Sequence, residues 1–165
     1  MEEVEKFELK PVISVSDKDF RNKVGEEVWL RMKSVTFRND NYKCKGCGFE
    51  PYDVEAEDVL DIHLIKEDLE NPENSEVRTT CKFCHIVEHA DAAIKHGYVE
   101  LVNSHFSQGE LVNICRNNSL HLHMSDIRYL KKTLPEYLEE LNSGRALEGK
   151  VKFIFNKKFL QVLQS

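Results

Sequence analysis

The sequence predicts an α+β fold in which flanking helices and short strands surround a metal-binding centre. Three features predict it: segments of helical period, short β-branched runs, and two cysteine couples. The couples are Cys44-Lys45-Gly46-Cys47 and Cys81-Lys82-Phe83-Cys84, with 33 residues between them. Each presents two thiolates from one short turn, and two such turns close a tetrahedron around zinc, with Zn–S bonds of about 2.3 Å. Cys44, Cys47, Cys81 and Cys84 are therefore the expected ligands of one structural Zn2+. Two disulfides would use the same thiols, but couples of this type in a chain of intracellular character favour metal.

The elements follow in order. Phe7 to Val15 alternates and ends β-branched, which predicts a strand, with Pro11 assigning it to an edge. Ser16 or Asp17 then caps a helix. Val24 to Arg38 places Val28, Trp29, Met32, Val35 and Phe37 at helical spacing. Asn39-Asp40-Asn41 ends that helix, and Tyr42 to Phe49 forms a zinc knuckle in which Gly48 supplies a left-handed backbone. Val59 to Ile65 reads as a strand and Asn71 to Ser75 as a turn. The second couple opens a helix from His85 to Lys95, closed by Gly97.

Tyr98 to Asn103 reads as a strand. Ser107 with Glu110 three residues later is a capping box before Leu111, Val112 and Ile114. Ser125 caps a further helix, and Thr133 with Pro135 starts another that runs to Leu141. Val151 to Leu163 is apolar and basic and fits strand or helix equally. The whole is read as a single domain, residues 1–165, with a zinc-binding core at about 28–97 and a helical extension at about 104–165.

Composition narrows the function classes. Of the 165 residues, 41% are hydrophobic and 32% charged, a globular balance. No apolar run approaches the roughly 20 residues of a membrane span. The acidic start, Met1-Glu2-Glu3-Val4-Glu5, is the wrong chemistry for a secretory or organellar leader. A reducing cytoplasm, bacterial or of a host cell, is the expected compartment. Formal charge is −6, and four thiolates with one Zn2+ bring it to about −8. Between Glu50 and Glu76 stand eleven acidic residues and one lysine, Lys66. A protein that lives on phosphate backbones shows a basic face instead, so nucleic acid is not the expected partner.

The segments Arg38 to Phe49, Leu60 to Ile65 and Cys81 to His85 together resemble the zinc-containing HNH family. The resemblance covers roughly residues 28–97 and implies a treble-clef fold with one structural zinc. Nuclease members of that family also hold a catalytic divalent metal beside a histidine general base. The matching strand here carries His63 between Ile62 and Leu64, and an aliphatic residue can neither bind metal nor accept a proton. The family's central asparagine aligns with Glu76. His85 and His89 are four apart on one helical face, so His63, His85 and His89 form the alternative catalytic set. Each also has a plain reading: His63 as a core histidine, His85 as a first-turn residue bonded to a thiolate or carbonyl, His89 as a surface residue.

A closer resemblance runs on through Gly97-Tyr98-Val99-Glu100-Leu101-Val102 and Ser107-Gln108-Gly109-Glu110-Leu111-Val112-Asn113-Ile114-Cys115. These look like the IcmJ/DotN proteins of the Dot/Icm type IV secretion system, small zinc proteins with an HNH-like fold. That resemblance implies an adaptor without a nuclease centre that binds a coupling ATPase. The resulting expectation is a non-catalytic protein–protein adaptor, of secretion type or a phage or viral binder of a host factor. Exposed apolar surface on the Leu111 helix or the C-terminal segment, beside the acidic stretch, would dock a basic or helical segment. A metal-dependent nuclease is the alternative. His121 and His123, near Cys115, offer a weaker second metal set, while Cys115 itself fits a buried thiol.

Overall fold

Ser16 accepts a hydrogen bond from the Asp19 amide, which starts helix α1, Asp17–Val24, with two acids in its first turn. The computed structural model describes residues 16–104, 106–117, 128–129, 139 and 151–164. The strand expected over Phe7 to Val15, most of the two helices expected after Ser125 and from Thr133, and His121 and His123 lie outside them; in those helical stretches Arg128–Tyr129 is a strand, paired with another strand, and Glu139 is helical. The described residues divide into two compact units, one from residue 16 to residue 85 and the other from residue 86 onward.

In the first unit, α1 ends at Gly25, whose φ of 90° and ψ of 156° lie where side chains are not tolerated. Helix α2, Glu26–Asn39, follows at once, so the helix expected from Val24 starts two residues later. Its inward face carries Trp29, Met32, Thr36 and Phe37. Val35, expected inside, is 43% exposed, because Thr36 and Phe37 occupy the core side of that turn. Phe20 of α1 meets Trp29 edge-on, with ring centroids 6.2 Å apart, which fastens the two helices. Burying a phenylalanine contributes about 1.5–3 kcal/mol.

Asn41 and Tyr42 both adopt left-handed backbone, and the Tyr42 amide donates to the Phe37 carbonyl at 2.8 Å. This turn delivers the chain into the knuckle. A short helix α3, Ala56–Val59, leads to strand β1, Leu60–Lys66, which pairs antiparallel with β2, Glu76–Cys81. The second strand was not expected: Glu76, Arg78 and Thr80 give it no apolar alternation. Its pairing partner supplies the pattern instead. Leu60, Ile62 and Leu64 are buried, and His63 sits directly across from Arg78. A register shift between Leu64 and Lys66 leaves Ile65 exposed at the end of the ladder. Helix α4, Lys82–Glu88, begins as β2 ends.

The second unit opens on the closing residues of α4 and on α5, Ala90–Lys95. The single helix expected over His85 to Lys95 is interrupted at His89, whose φ of −121° and ψ of 60° are not helical. Gly97 closes α5 in left-handed backbone, as expected. Strand β3, Val99–Asn103, is the centre of a three-stranded antiparallel sheet between β4, Arg128–Tyr129, and β5, Val151–Phe155. The undecided C-terminal segment is both: β5 is followed by helix α7, Lys157–Gln164. Helix α6, Gln108–Arg116, has the expected capping box, with Ser107 and Glu110 each satisfying the other's amide. Its Leu111, Val112 and Cys115 are buried, so the apolar face expected to dock a partner is occupied by this unit's own core. Lys158 is engaged locally, donating to the His96 carbonyl at 2.6 Å beneath the Tyr98 ring.

Candidate metal centre and the histidine cluster

The first cysteine couple sits in a closed loop. The Cys44 amide donates to the Phe49 carbonyl, and the Gly48 amide returns to the Cys44 carbonyl, both at 2.8 Å. Gly48 makes this possible with a φ of 79°, the left-handed geometry expected of it. Two further bonds position the loop against the hairpin. The Lys45 amide donates to the Thr79 carbonyl at 2.9 Å, and Asp40 accepts from the Thr79 amide at 2.8 Å. The second couple spans the last residue of β2 and the first turn of α4, where the Cys84 amide points at the Cys81 sulfur, 3.5 Å away.

All four thiols are buried and none is in a disulfide. Their sulfurs lie within 4.8 Å of one another, and Cys47 and Cys81 are 3.8 Å apart. A tetrahedron with bonds of about 2.3 Å has edges of about 3.8 Å, whereas a disulfide needs about 2.0 Å. The spacing therefore fits a four-sulfur metal site. Burial, then the neighbouring thiols, pushes the Cys81 pKa well above the usual value, and the neighbouring thiols, Cys44 first, do the same to Cys84. Cys44 runs the other way: its contact with Cys47 raises it, but hydrogen bonds from Cys81 and Cys84 bring it to about 7. A divalent cation removes this conflict by stabilising all four thiolates at once. Arg78 lies in the field of Cys44 and Cys84; burial lowers its pKa, and Glu76 and these two thiols oppose the shift. Its charge offsets part of the −2 that four thiolates and one divalent cation would carry.

A second cluster lies in the same unit. His63 of β1 is 2% exposed, and its ring stands edge-on to that of His85 in α4, centroids 5.5 Å apart. Asp17, the first residue of α1, completes the group. Its Oδ2 is 2.5 Å from Nε2 of His85 and 3.7 Å from Nδ1 of His63, and its Oδ1 accepts from the Leu64 amide at 3.0 Å. His85 thus bonds a carboxylate. His89 is the N-cap residue of α5 in the second unit, so the expected i, i+4 relation to His85 is not that of a continuous helix. Glu76 is exposed opposite Lys66, and Arg78 takes the strand position facing His63.

Asp17 is a cluster residue that the sequence does not announce: it reads as a helix cap, the role that Ser16 fills. Among the described residues, no helix is long and apolar enough to cross a membrane. Comparison with protein-family models finds no match, and comparison with curated proteins finds no similar chain.

Proposed function

We propose that this chain is a zinc-stabilised, non-catalytic HNH-like protein that acts by binding another protein. One observation carries the reading: Asp17 closes the histidine pair. A hydrolytic centre needs a solvated position where water, cation and substrate meet. Here His63 is buried and the Asp17 carboxylate lies against both imidazoles. Zinc at Cys44, Cys47, Cys81 and Cys84 then serves folding, holding a knuckle to a helix start as in a treble clef.

The binding surface in this reading is the acidic stretch. Tyr52 is 94% exposed and Val54 54%, and they alternate with Asp53 and Glu55. Glu50, Asp61 and Glu73 have described ion pairs, with Lys43, Lys33 and Arg31 respectively. Asp53, Glu55, Glu57 and Asp58 have none among the described residues. Acidic groups around exposed apolar side chains suit a basic segment with an apolar anchor, because charge steers the encounter and the apolar contact holds it.

The test is cleavage of supercoiled and single-stranded DNA by zinc-loaded protein with added magnesium, manganese or nickel. The expected result is no cleavage. Cleavage that disappears in His85→Ala would replace this reading with that of a metal-dependent nuclease. On the binding side, an amphipathic lysine- and arginine-rich peptide is expected to bind at low salt and to bind Tyr52→Ala more weakly.

A further inference from the structure

We propose that the acidic stretch binds a second copy of this chain, through the exposed face of that copy's helix α7. The inference rests on the reading of the stretch as a binding surface and names its occupant. Helix α7, Lys157–Gln164, buries Phe159 and half-buries Leu160 and Leu163. Lys157, Lys158, Gln161 and Val162 are exposed. At about 100° per residue these four fall within one arc of about 140°, so they form a single outward face. That face is a basic segment with an apolar anchor, the chemistry the acidic stretch suits.

Two observations set this face apart. Val162 is 47% exposed, and among the described residues it is the one exposed large hydrophobic side chain of the second unit. Lys157 and Lys158 stand in the first turn, where the helix dipole favours acids, so they do not serve the helix itself. Neither pairs with an acid among the described residues, and Lys158 donates to a neutral group, the His96 carbonyl.

The surface on the other copy has the matching pattern. Tyr52, Asp53, Val54 and Glu55 follow one another in irregular backbone, all exposed. From Lys157 to Val162 the helix rises about 7.5 Å, and the three steps from Tyr52 to Glu55 reach at most about 10 Å. Over that length Lys157 and Lys158 meet Asp53 and Glu55 while Val162 packs against Tyr52 and Val54. Charge is divided along the sequence in the same sense. Residues 16–85 carry 16 acidic and 11 basic residues, and residues 86–165 carry 9 and 10. Contact between unlike units of two copies is therefore favoured over contact between two acidic ones. Two such short segments bury less than the roughly 1,200 Å² of a standard interface, so the association is weak and reversible.

Sedimentation velocity of the zinc-loaded full chain from about 10 to 500 μM tests this, since so small a contact holds only at high concentration. At low salt the sedimentation coefficient is expected to rise with concentration. In about 1 M salt, where screening acts over about 3 Å, it should stay at the monomer value. Lys157→Glu, and separately the pair Asp53→Lys with Glu55→Lys, should each weaken self-association at least about tenfold. An equimolar mixture of the two variants should associate again, because one brings an intact acidic stretch and the other an intact helix face. A chain carrying all three changes should associate too, which also shows that these exposed substitutions leave the fold intact. Wild type that stays monomeric throughout overturns the proposal, as does self-association that neither variant weakens. So does a mixture that remains monomeric, because the two segments then do not join separate copies. Monomeric wild type that still binds the basic peptide would remove only the self-contact and leave the acidic stretch to another protein. DNA cleavage by a chain that does self-associate would do the reverse, removing the non-catalytic reading and keeping the self-contact.

Discussion

Gln108 is fully buried in the second unit and gives both ends of its amide to one residue of β5. Its Nε2 donates to the Phe153 carbonyl at 2.8 Å, and its Oε1 accepts from the Phe153 amide at 2.7 Å. One side chain thus serves as a short length of strand, which explains a glutamine beside the capping box where an apolar residue would otherwise pack. Gln108→Leu strands two buried backbone groups, at about 1–3 kcal/mol each when unsatisfied. We expect a loss of about 2–4 kcal/mol by urea denaturation, and a change within error would mean that water replaces both bonds. Cys115 supports a different prediction. Burial pushes its thiol above the usual 9.0, against a weaker opposing bond from the Phe155 backbone. A raised folded pKa means that the stabilisation is complete below the unfolded value and is lost as pH rises through the folded one. Iodoacetamide at pH 8 should therefore label Cys115 at least about tenfold more slowly than free cysteine. Labelling should accelerate only at more alkaline pH or on unfolding, as peptide mass spectrometry would record.

Among the elements, a metal on the four cysteines would make the knuckle and the α4 start depend on each other, while α1 and α2 depend on Gly25. Structural zinc supplies on the order of 10–16 kcal/mol in small domains, so Cys47→Ser should lose zinc and unfold the hairpin that Lys45 and Asp40 hold. Metal analysis and circular dichroism test this, and a variant that keeps both zinc and melting temperature would exclude a four-cysteine site. Gly25→Ala meets no atom within 4 Å, so its cost is purely backbone strain, about 1–3 kcal/mol. What was legible in the sequence follows from range. The cysteine couples, Gly48, the Ser107 box and strands β1 and β3 declare themselves within a few residues. Strand β2 does not, because its polar side chains are specified by pairing with β1. The break at Gly25 was also readable as a glycine between two periodic segments, yet helical spacing from Val24 onward masked it. Asp17 was illegible as a site residue because its partners lie 46 and 68 residues away, and a carboxylate near a helix start already has a local explanation.

At the scale of the whole molecule, charge discriminates between kinds of partner more sharply than any single contact. The chain carries −6, and a tetrathiolate zinc would make it about −8. Proteins that bind duplexes nonspecifically do so by releasing counterions from phosphates, with dissociation constants of about 10⁻⁴–10⁻⁶ M at physiological salt. An acidic surface has few cations with which to neutralise phosphates, and several of the described lysines and arginines are already committed. Arg31, Lys33 and Lys43 pair with acids, Arg78 is half-buried, and Lys158 is bonded to its own unit. Zinc-loaded protein at 10 μM, roughly the middle of that range, should therefore leave a labelled duplex unretarded in 50 mM salt. The same protein should bind a basic amphipathic peptide with an affinity that falls as salt rises, because that attraction is screened over about 10 Å at 0.1 M. A retarded duplex whose binding weakens steeply with salt would place a basic face that the described residues do not show, and would turn the function toward nucleic acid. Salt-independent peptide binding would instead assign recognition to Tyr52 and Val54 alone, with the surrounding carboxylates serving only solubility.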